Sequence, residues 1–321
     1  MRHDDTFNEG KTFLRLGEVY LRMLKKRSII ILFALCLLAA MPVLGAEQRV
    51  PELRVGSYQT CLLQAVQESF NLNEDGADKL LKKAISLEPD DPMAYALEAM
   101  LHMFAYEMCF TQEQLQKEKN ALFQYSEEAH VRGEKRIARF PKDSQAHLAM
   151  SLAKVAKVYW AMKEKRYFVM AQETSNIWDY LEAAKSANPN NYDVDFLMGL
   201  LHYHIDQFRG LTGILSSWLI TEGNRPKGIA EISTAMQKGY LLREVARTQM
   251  ASIYQLYEKQ PAKALPIIQE LRSKYPENYN YYFSYGLVLL ELGRFTEAEG
   301  VAAAIDKNIK TGKPPYVPEL Q

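Results

Sequence analysis

The chain has 321 residues, 48% of them hydrophobic, so it is long enough to bury a sizeable core and too apolar to be mostly disordered. Its 39 Lys and Arg residues balance 39 Asp and Glu residues, which gives neither the basic field of a nucleic-acid-binding protein nor an acidic tail. The charge therefore excludes nucleic acid as an expected partner and identifies no other class.

The first 46 residues have the pattern of an N-terminal extension followed by a secretory signal peptide. Basic residues precede the apolar run 29–44, which leads to a small-residue exit near Ala46. This run is shorter than the roughly 20 residues that cross a bilayer core. We therefore expect translation to start at Met23, cleavage near Ala46 and a periplasmic or otherwise exported protein. Retention in the inner membrane by an uncleaved signal anchor is the alternative.

Four segments of the remaining chain share one spacing, a proline followed ten positions later by a small residue. The pairs are Pro89 and Ala99, Pro141 and Ser151, Pro189 and Gly199, and Pro276 and Gly286. A proline ends a helix, and a small residue lets two antiparallel helices approach closely. The spacing therefore predicts repeated helix pairs.

A second small residue precedes three of these prolines by twelve positions, at Ala77, Ala129 and Ala264. The third unit departs from this pattern, because it has Ile177 at the equivalent position. We expect these residues to lie where the second helix of a pair contacts the first.

Three alanines, Ala230, Ala264 and Ala298, are 34 residues apart, which is the period of the tetratricopeptide repeat (TPR). Residues 245–278 resemble the TPR superfamily most clearly, together with the segment that follows. That segment also has the family's turn glycine, Gly293, and its following aromatic residue, Phe295.

The resemblance implies an all-α, right-handed TPR-like α-solenoid of about six helix pairs, several of them with lengthened helices or inserts. The solenoid is expected over residues 47–312 and an extended, proline-rich tail over residues 313–321. Strand patterns with period-two alternation and Asn-Gly or Asp-Gly turns are missing from the sequence.

Two segments interrupt the repeat. The apolar insert Leu211–Ile220 packs back into the solenoid, contacts a membrane surface or docks a partner. Packing is the favoured alternative, and the absence of flanking Lys clusters disfavours the membrane contact. The methionine-rich segment 100–110 forms either core or an adaptable binding surface. The polar residues 111–120 that follow it are expected to form a solvated connection.

Two pairs of side chains suggest chemistry, but packing accounts for both. His202 and His204 are two residues apart, so they point in different directions on a helix and are expected to pack rather than bind a metal. Glu98 and His102 share a helix face, and a hydrogen bond on the helix surface is favoured over an acid-base pair. With no phosphate loop and no nucleophile motif, we expect no catalytic residue, metal or cofactor, and therefore a non-enzymatic protein.

The two cysteines beyond the signal segment are expected to be free, mostly buried thiols. Cys61 and Cys109 occupy different positions in successive units, about 21 Å apart along stacked helices at 1.5 Å per residue, which exceeds disulfide reach.

The family resemblance also implies where a partner binds, because the first helix of each TPR pair lines a concave groove. The matching positions are Met100, Met103, Phe196, Tyr203, Gln249, Tyr257 and Phe283. We therefore expect an exported scaffold that binds a protein or peptide partner of the cell envelope through this groove. The alternative is an accessory of an envelope transport system that binds a lipid or another hydrophobic ligand.

Overall fold

The computed structural model of the protein describes residues 57–109, 111–208 and 223–311. Every regular element in these ranges is a helix. No helix among the described residues is long and apolar enough to cross a membrane. The predicted signal peptide, the insert Leu211–Ile220 and the tail 313–321 lie outside the described residues.

Twelve α-helices follow one another in the described ranges, and they belong to two compact units. The larger unit comprises Gln48–Ser69 and Asn73–Ala246, and the smaller unit includes Phe70–Leu72 and Arg247–Gln321. The helices are α1 (Tyr58–Phe70), α2 (Glu74–Leu87), α3 (Pro92–Met108), α4 (Gln112–Arg139), α5 (Ser144–Lys163), α6 (Tyr167–Ala187), α7 (Tyr192–Phe208), α8 (Arg225–Lys238), α9 (Arg243–Ser252), which continues as a π-helical turn (Ile253–Tyr257), α10 (Pro261–Lys274), α11 (Tyr279–Glu291) and α12 (Phe295–Thr311).

The helices of the larger unit pack in successive pairs. Helix α3 packs on α4, α5 on α6 and α7 on α8, and α5 also contacts both helices of the preceding pair. Of the 20 residues of α5, 15 are buried, as expected for a helix that is covered on nearly all sides. In the smaller unit, α11 packs against α10 and α12. The predicted all-α architecture of about six helix pairs is confirmed.

The small residues ten positions after the prolines lie at close helix contacts. Ala99 and Ser151 are fully buried. A Cβ atom added to Gly199 on α7 would lie 2.8 Å from the carbonyl oxygen of Gly228 on α8, and one added to Gly228 would lie 2.6 Å from the carbonyl oxygen of Gly199. The backbones of these two helices therefore touch directly, and neither glycine leaves space for a side chain.

The second set of small residues is also buried, with one correction. Ala77, Ala129 and Ala264 are fully buried, and Ile177 occupies the same position at 2% exposure. Ala230, however, is exposed, and Gly228 makes the corresponding contact. The packing period between Gly228 and Ala264 is therefore 264−228=36 residues instead of the predicted 34, and the π-helical turn Ile253–Tyr257 supplies one of the two extra residues.

Four of the turns between paired helices contain a residue with left-handed backbone conformation. These residues are Leu72 (φ 60), Lys165 (φ 56), Lys259 (φ 54) and Gly293 (φ 70). In the last pair, the amide of Arg294 donates to the carbonyl oxygen of Leu289 at 2.9 Å, the long-range hydrogen bond of a Schellman motif. The predicted turn glycine is therefore one instance of a turn that other residues form elsewhere in the chain.

Helix α4 differs from the prediction made for its N-terminal part. The polar residues 111–120 were expected to form a solvated connection, but they begin a helix of 28 residues. Thr111 and Gln114 form a capping box, in which each side chain accepts a hydrogen bond from the other's backbone amide. This cap satisfies amides that would otherwise be unpaired, so a polar sequence can start a long helix.

Polar side chains join successive helix pairs through the helix N-termini. Asp91 caps α3 and Asp143 caps α5, and the guanidinium group of Arg136 on α4 donates hydrogen bonds to both carboxylates. Burial tends to raise the pKa of Asp143, but the amide of Ala146 and the Arg136 guanidinium outweigh it and hold this pKa below its usual value. Arg136 thus links the N-terminus of α3 to the N-terminus of α5.

A buried carboxylate joins helix α7 to the connection between α8 and α9. Asp193 on α7 accepts hydrogen bonds from three successive backbone amides, those of Tyr240 at 2.7 Å, Leu241 at 2.9 Å and Leu242 at 3.0 Å. These amides lie between the end of α8 and the start of α9. The side chain of Asp193 therefore satisfies three backbone amides that lie outside the helices.

Both described cysteines have free thiols, as predicted; Cys61 is buried and Cys109 is half-buried. The methionine-rich segment is core where the structure describes its side chains, since Met100 and Met103 are 3% and 0% exposed.

The contact between Gly199 and Gly228 predicts the effect of a single methyl group. We expect Gly199→Ala to lower the free energy of unfolding by about 2 kcal/mol or more, because the added Cβ meets backbone that cannot rotate away. Gly300→Ala is the matched control, since nothing lies within 4 Å of its Cβ position and alanine favours a helix by about 1 kcal/mol. Urea unfolding of both variants tests this, and equal stability of Gly199→Ala and the wild type would contradict it.

Candidate functional site

The seven residues predicted to line a groove are mostly buried. Tyr257 is half-buried, and the other six are at most 6% exposed, namely Met100, Met103, Phe196, Tyr203, Gln249 and Phe283. Each lies on the first helix of a helix pair or on the π-helical turn that continues α9, as the repeat pattern predicts. Their burial is what helix packing requires, and their role in binding a partner stays a prediction.

Gln249 differs from the other six because its polar group is unsatisfied. The side chain is 1% exposed, and neither its amide nitrogen nor its amide oxygen has a hydrogen-bond partner among the described residues. A buried amide without partners costs about 1–3 kcal/mol.

His202 and His204 are both buried, and the structure supports the packing interpretation for His202. The Nδ1 atom of His202 lies 2.6 Å from a carboxylate oxygen of Glu231 on α8, and Lys227 Nζ lies 3.3 Å from its Nε2 atom. The ring of Trp178 packs edge-on against it. A cation next to Nε2 disfavours a metal ion there. Asp195, the nearby acid, instead pairs with Lys185 at 2.7 Å.

A different group of ionisable side chains lies between helices α2, α3 and α4 of the larger unit. Asp78 on α2 and Glu98 and His102 on α3 each place one ligand atom within 4.8 Å of the other two. Glu98 is fully buried, and neither of its carboxylate oxygens has a hydrogen-bond partner among the described residues. We call Asp78, Glu98 and His102, together with Glu118, the acidic cluster.

The predicted surface hydrogen bond between Glu98 and His102 is wrong. Their closest approach, from Oε2 of Glu98 to Nε2 of His102, is 4.0 Å, and Glu98 is not on the surface. The reason is the length of α4, which covers this face of α3 and supplies another partner. Glu118 accepts at 2.6 Å from the Nδ1 atom of His102, and the ring of Tyr125 stacks on the imidazole at 5.4 Å.

The hydrogen bond to Glu118 determines the direction of the His102 ring. An ionised Glu118 can only accept, which places a proton on Nδ1, and the other ring nitrogen, Nε2, lies 4.0 Å from Oε2 of Glu98. Asp78, within 4.8 Å of both residues, pairs through its carboxylate with the partly exposed Lys82 at 2.7 Å. The acidic cluster therefore combines one deeply buried carboxylate with three groups that solvent reaches in part.

The environment of Glu98 changes its acidity. Burial, and next the negative charge of Asp78, raise its pKa to about 8, while Lys82 opposes the shift. At neutral pH Glu98 is therefore mainly protonated in the absence of a cation. A strongly shifted carboxyl group beside a histidine is typical of functional sites, although structural groups show such shifts as well.

Sequence reasoning found Glu98 and His102 but missed Asp78 and Glu118. Asp78 lies on a neighbouring helix, and Glu118 follows His102 by 16 residues in the segment that was expected to be solvated. The sequence held no signal for either residue, and adjacent helix positions such as Glu98 and Ala99 point about 100° apart, so the contact at Ala99 does not mark Glu98 as buried.

No family model and no curated protein matches the chain. One solved structure similar to it is TTC0263, a thermophilic TPR protein from Thermus thermophilus, at 20% identity and a TM-score of 0.44 over 73% of this chain and 100% of that one. The described helices themselves show an all-α fold of successive packed helix pairs.

The shifted pKa of Glu98 predicts how stability depends on pH in the presence of EDTA. Since the folded state holds this proton more tightly than the unfolded state, Glu98 favours folding below its ordinary pKa of 4.5, and this contribution is lost as the pH rises through about 8. We expect Glu98→Gln to be more stable than the wild type by roughly 1–3 kcal/mol at about pH 8.5 and nearly equal at about pH 4.5.

Urea unfolding at both pH values measures this difference. Asp306→Asn, at an exposed carboxylate on α12, is the control and should show no such change. A Glu98→Gln variant that is less stable than the wild type at the higher pH would contradict the prediction.

Proposed function

We propose that the protein is an exported, non-enzymatic scaffold that binds a protein partner. The observation that carries the proposal is the TPR-like fold of successive helix pairs, in which inner helices are covered by their neighbours. Such repeats form an extended surface on which partners bind, and stability comes from contacts between neighbouring pairs. The signal-like N-terminal sequence supports export, because its basic residues, short apolar run and small-residue exit match a cleaved leader.

We place the contact with the partner on the turn between α5 and α6. Tyr167 and Phe168 at the start of α6 are among the large hydrophobic residues with the highest exposure, at 56% and 63%. They directly follow the exposed Lys165 and Arg166. Aromatic and arginine side chains are enriched in protein interfaces, and adjacent positive charge favours an acidic partner segment.

The last helix pair offers a natural comparison. Its turn has the same order of a left-handed residue, an arginine and an exposed aromatic residue, at Gly293, Arg294 and Phe295. There, however, the guanidinium group of Arg294 donates two hydrogen bonds to Glu297, at 2.6 Å and 2.7 Å, so its charge is neutralised locally. The turn Lys165–Phe168 is therefore the more suitable surface for an acidic partner.

Site-specific photo-crosslinking in cells tests the proposal. A photoreactive phenylalanine analogue replaces Tyr167 in one variant and Phe295 in the control, since both positions are exposed and follow equivalent turns. We expect a discrete protein adduct from position 167 only. Reversal of charge by Lys165→Glu with Arg166→Glu should abolish the adduct, because the electrostatic attraction becomes repulsion. Equal adducts at both positions, or an adduct insensitive to charge reversal, would contradict the proposed surface.

Export has a separate test. N-terminal sequencing of the protein from fractionated cells should give a chain that begins near residue 47 in the exported fraction. A protein that retains residues 23–46 and sediments with the membrane would replace cleavage by a signal anchor, and a cytoplasmic protein that retains them would overturn export.

A further inference from the structure

We propose that Asp78, Glu98 and His102 bind one divalent transition-metal ion of the Zn²⁺ type, with Glu118 as the residue that positions His102. This inference goes beyond scaffolding and does not depend on the proposed function. A nitrogen ligand and two carboxylates are an established combination for such ions, which take ligand atoms at about 2.0–2.2 Å.

The first observation in its favour is the state of Glu98. A fully buried carboxyl group without any hydrogen bond costs several kcal/mol when ionised and about 1–3 kcal/mol when neutral. Nothing in the described residues offsets this cost, since both oxygens lack partners. One carboxylate oxygen of Glu98 lies within 4.8 Å of a ligand atom of His102 and of Asp78, and Oε2 of Glu98 is 4.0 Å from Nε2 of His102. A cation in that region would satisfy Glu98.

The second observation is the orientation of His102. Metal-binding histidines typically donate their other ring N–H to a carboxylate, which fixes the ring and makes the ligand nitrogen more basic. The 2.6 Å contact between Nδ1 of His102 and Glu118 is such an arrangement. The other ring nitrogen, Nε2, lies 4.0 Å from Glu98 Oε2. That distance is too long for a hydrogen bond and slightly more than the roughly 3.4 Å between two ligands of one tetrahedral ion.

The third observation is the local charge. Besides the acidic cluster itself, Glu74 lies near Glu118. Burial, and next the negative charges of Glu118 and Asp75, raise the pKa of Glu74. Among the described residues, the cations paired with cluster carboxylates are Lys82, paired with Asp78, and the largely exposed Lys117, paired with Glu118. The negative charge therefore exceeds the positive charge in this region. An ion would have to compete with Lys82 for Asp78, a partner that is 56% exposed and easily displaced.

The chain contains a natural control that separates metal binding from helix packing. His102 and His202 each lie thirteen residues after a proline, and each places Nδ1 2.6 Å from a glutamate of the following helix. At His202, however, the residue four positions earlier is Met198 instead of a glutamate, and Lys227 approaches Nε2. The histidine–glutamate pair thus recurs at His202 without a group of three potential metal ligands among the described residues, and the added carboxylates distinguish His102.

An ion at this position would join two helix pairs. Asp78 lies on α2 of the first pair, Glu98 and His102 lie on α3 of the second, and Glu118 on α4 supports the histidine. A metal ion bound by α2 and α3 would stabilise the folded state by a free energy that grows with the logarithm of the ratio of free metal concentration to Kd. Three protein ligands also leave a coordination position for water or for a group of a partner.

The experiment is calorimetric titration of Zn²⁺ into the protein purified from cells that express the full chain, after removal of metal with EDTA and dialysis. We expect one ion per chain for the wild type and for His202→Gln, the matched control. Glu98→Gln and Asp78→Asn should lose this binding. Absence of stoichiometric binding by the wild type, or unchanged affinity in Glu98→Gln, would overturn the proposal.

Two further variants keep the test decisive if a substitution at Glu98 impairs folding. Lys82→Gln should bind Zn²⁺ more tightly than the wild type, because the competing cation of Asp78 is gone. Glu118→Gln should bind it about 10- to 100-fold more weakly, because His102 loses the partner that orients it. A merely structural role of these side chains predicts no change of affinity in either variant, and that result would also overturn the proposal.

Discussion

Direct contact between helix backbones is the constraint on which this structure depends. Where Gly199 faces Gly228, each Cα has a carbonyl oxygen in the place that a Cβ would need. Helices that approach so closely fix the position of every other side chain along their shared face, because a shift by one residue would bring a bulky group into the contact. The buried residues Ala77, Ala129 and Ala264 extend the same rule to other pairs. The charged groups between the helices are held by this framework.

Much of the fold could be predicted from the sequence, because this constraint leaves a regular trace. A proline that ends a helix and a small residue ten positions later are both required by geometry, so the helix pairs and their contacts were predictable. The exposed Ala230 shows the limit of that reasoning. Its 34-residue spacing fits the repeat period, but the chain gains residues before Ala264, in part through the π-helical turn, and Gly228 makes the contact instead. The spacing of small residues in the sequence alone cannot reveal such an insertion.

The candidate site was predicted less well, for two physical reasons. The first is that Glu118 belongs to a polar segment whose helical state depends on the cap formed by Thr111 and Gln114 and on packing against α3. The second is that Glu98 violates the usual rule that charged residues are exposed. Sequence patterns identify positions where a rule is followed, whereas a functional group is often the exception to it. The unsatisfied Glu98 became visible only when its neighbours on α2 and α4 were placed.

A scaffold with a metal ion between two of its helix pairs accounts for both sets of observations. The small-residue contacts explain the architecture. A metal ion bound at the acidic cluster would explain why the buried carboxylate of Glu98 is tolerated there. The most direct test is a crystal structure of the protein grown with Zn²⁺, with data collected at the zinc absorption edge. The account predicts an anomalous peak about 2.0–2.2 Å from His102 Nε2 and from a carboxylate oxygen of both Asp78 and Glu98. A structure without this peak, in which ordered water or another side chain satisfies Glu98, would contradict it.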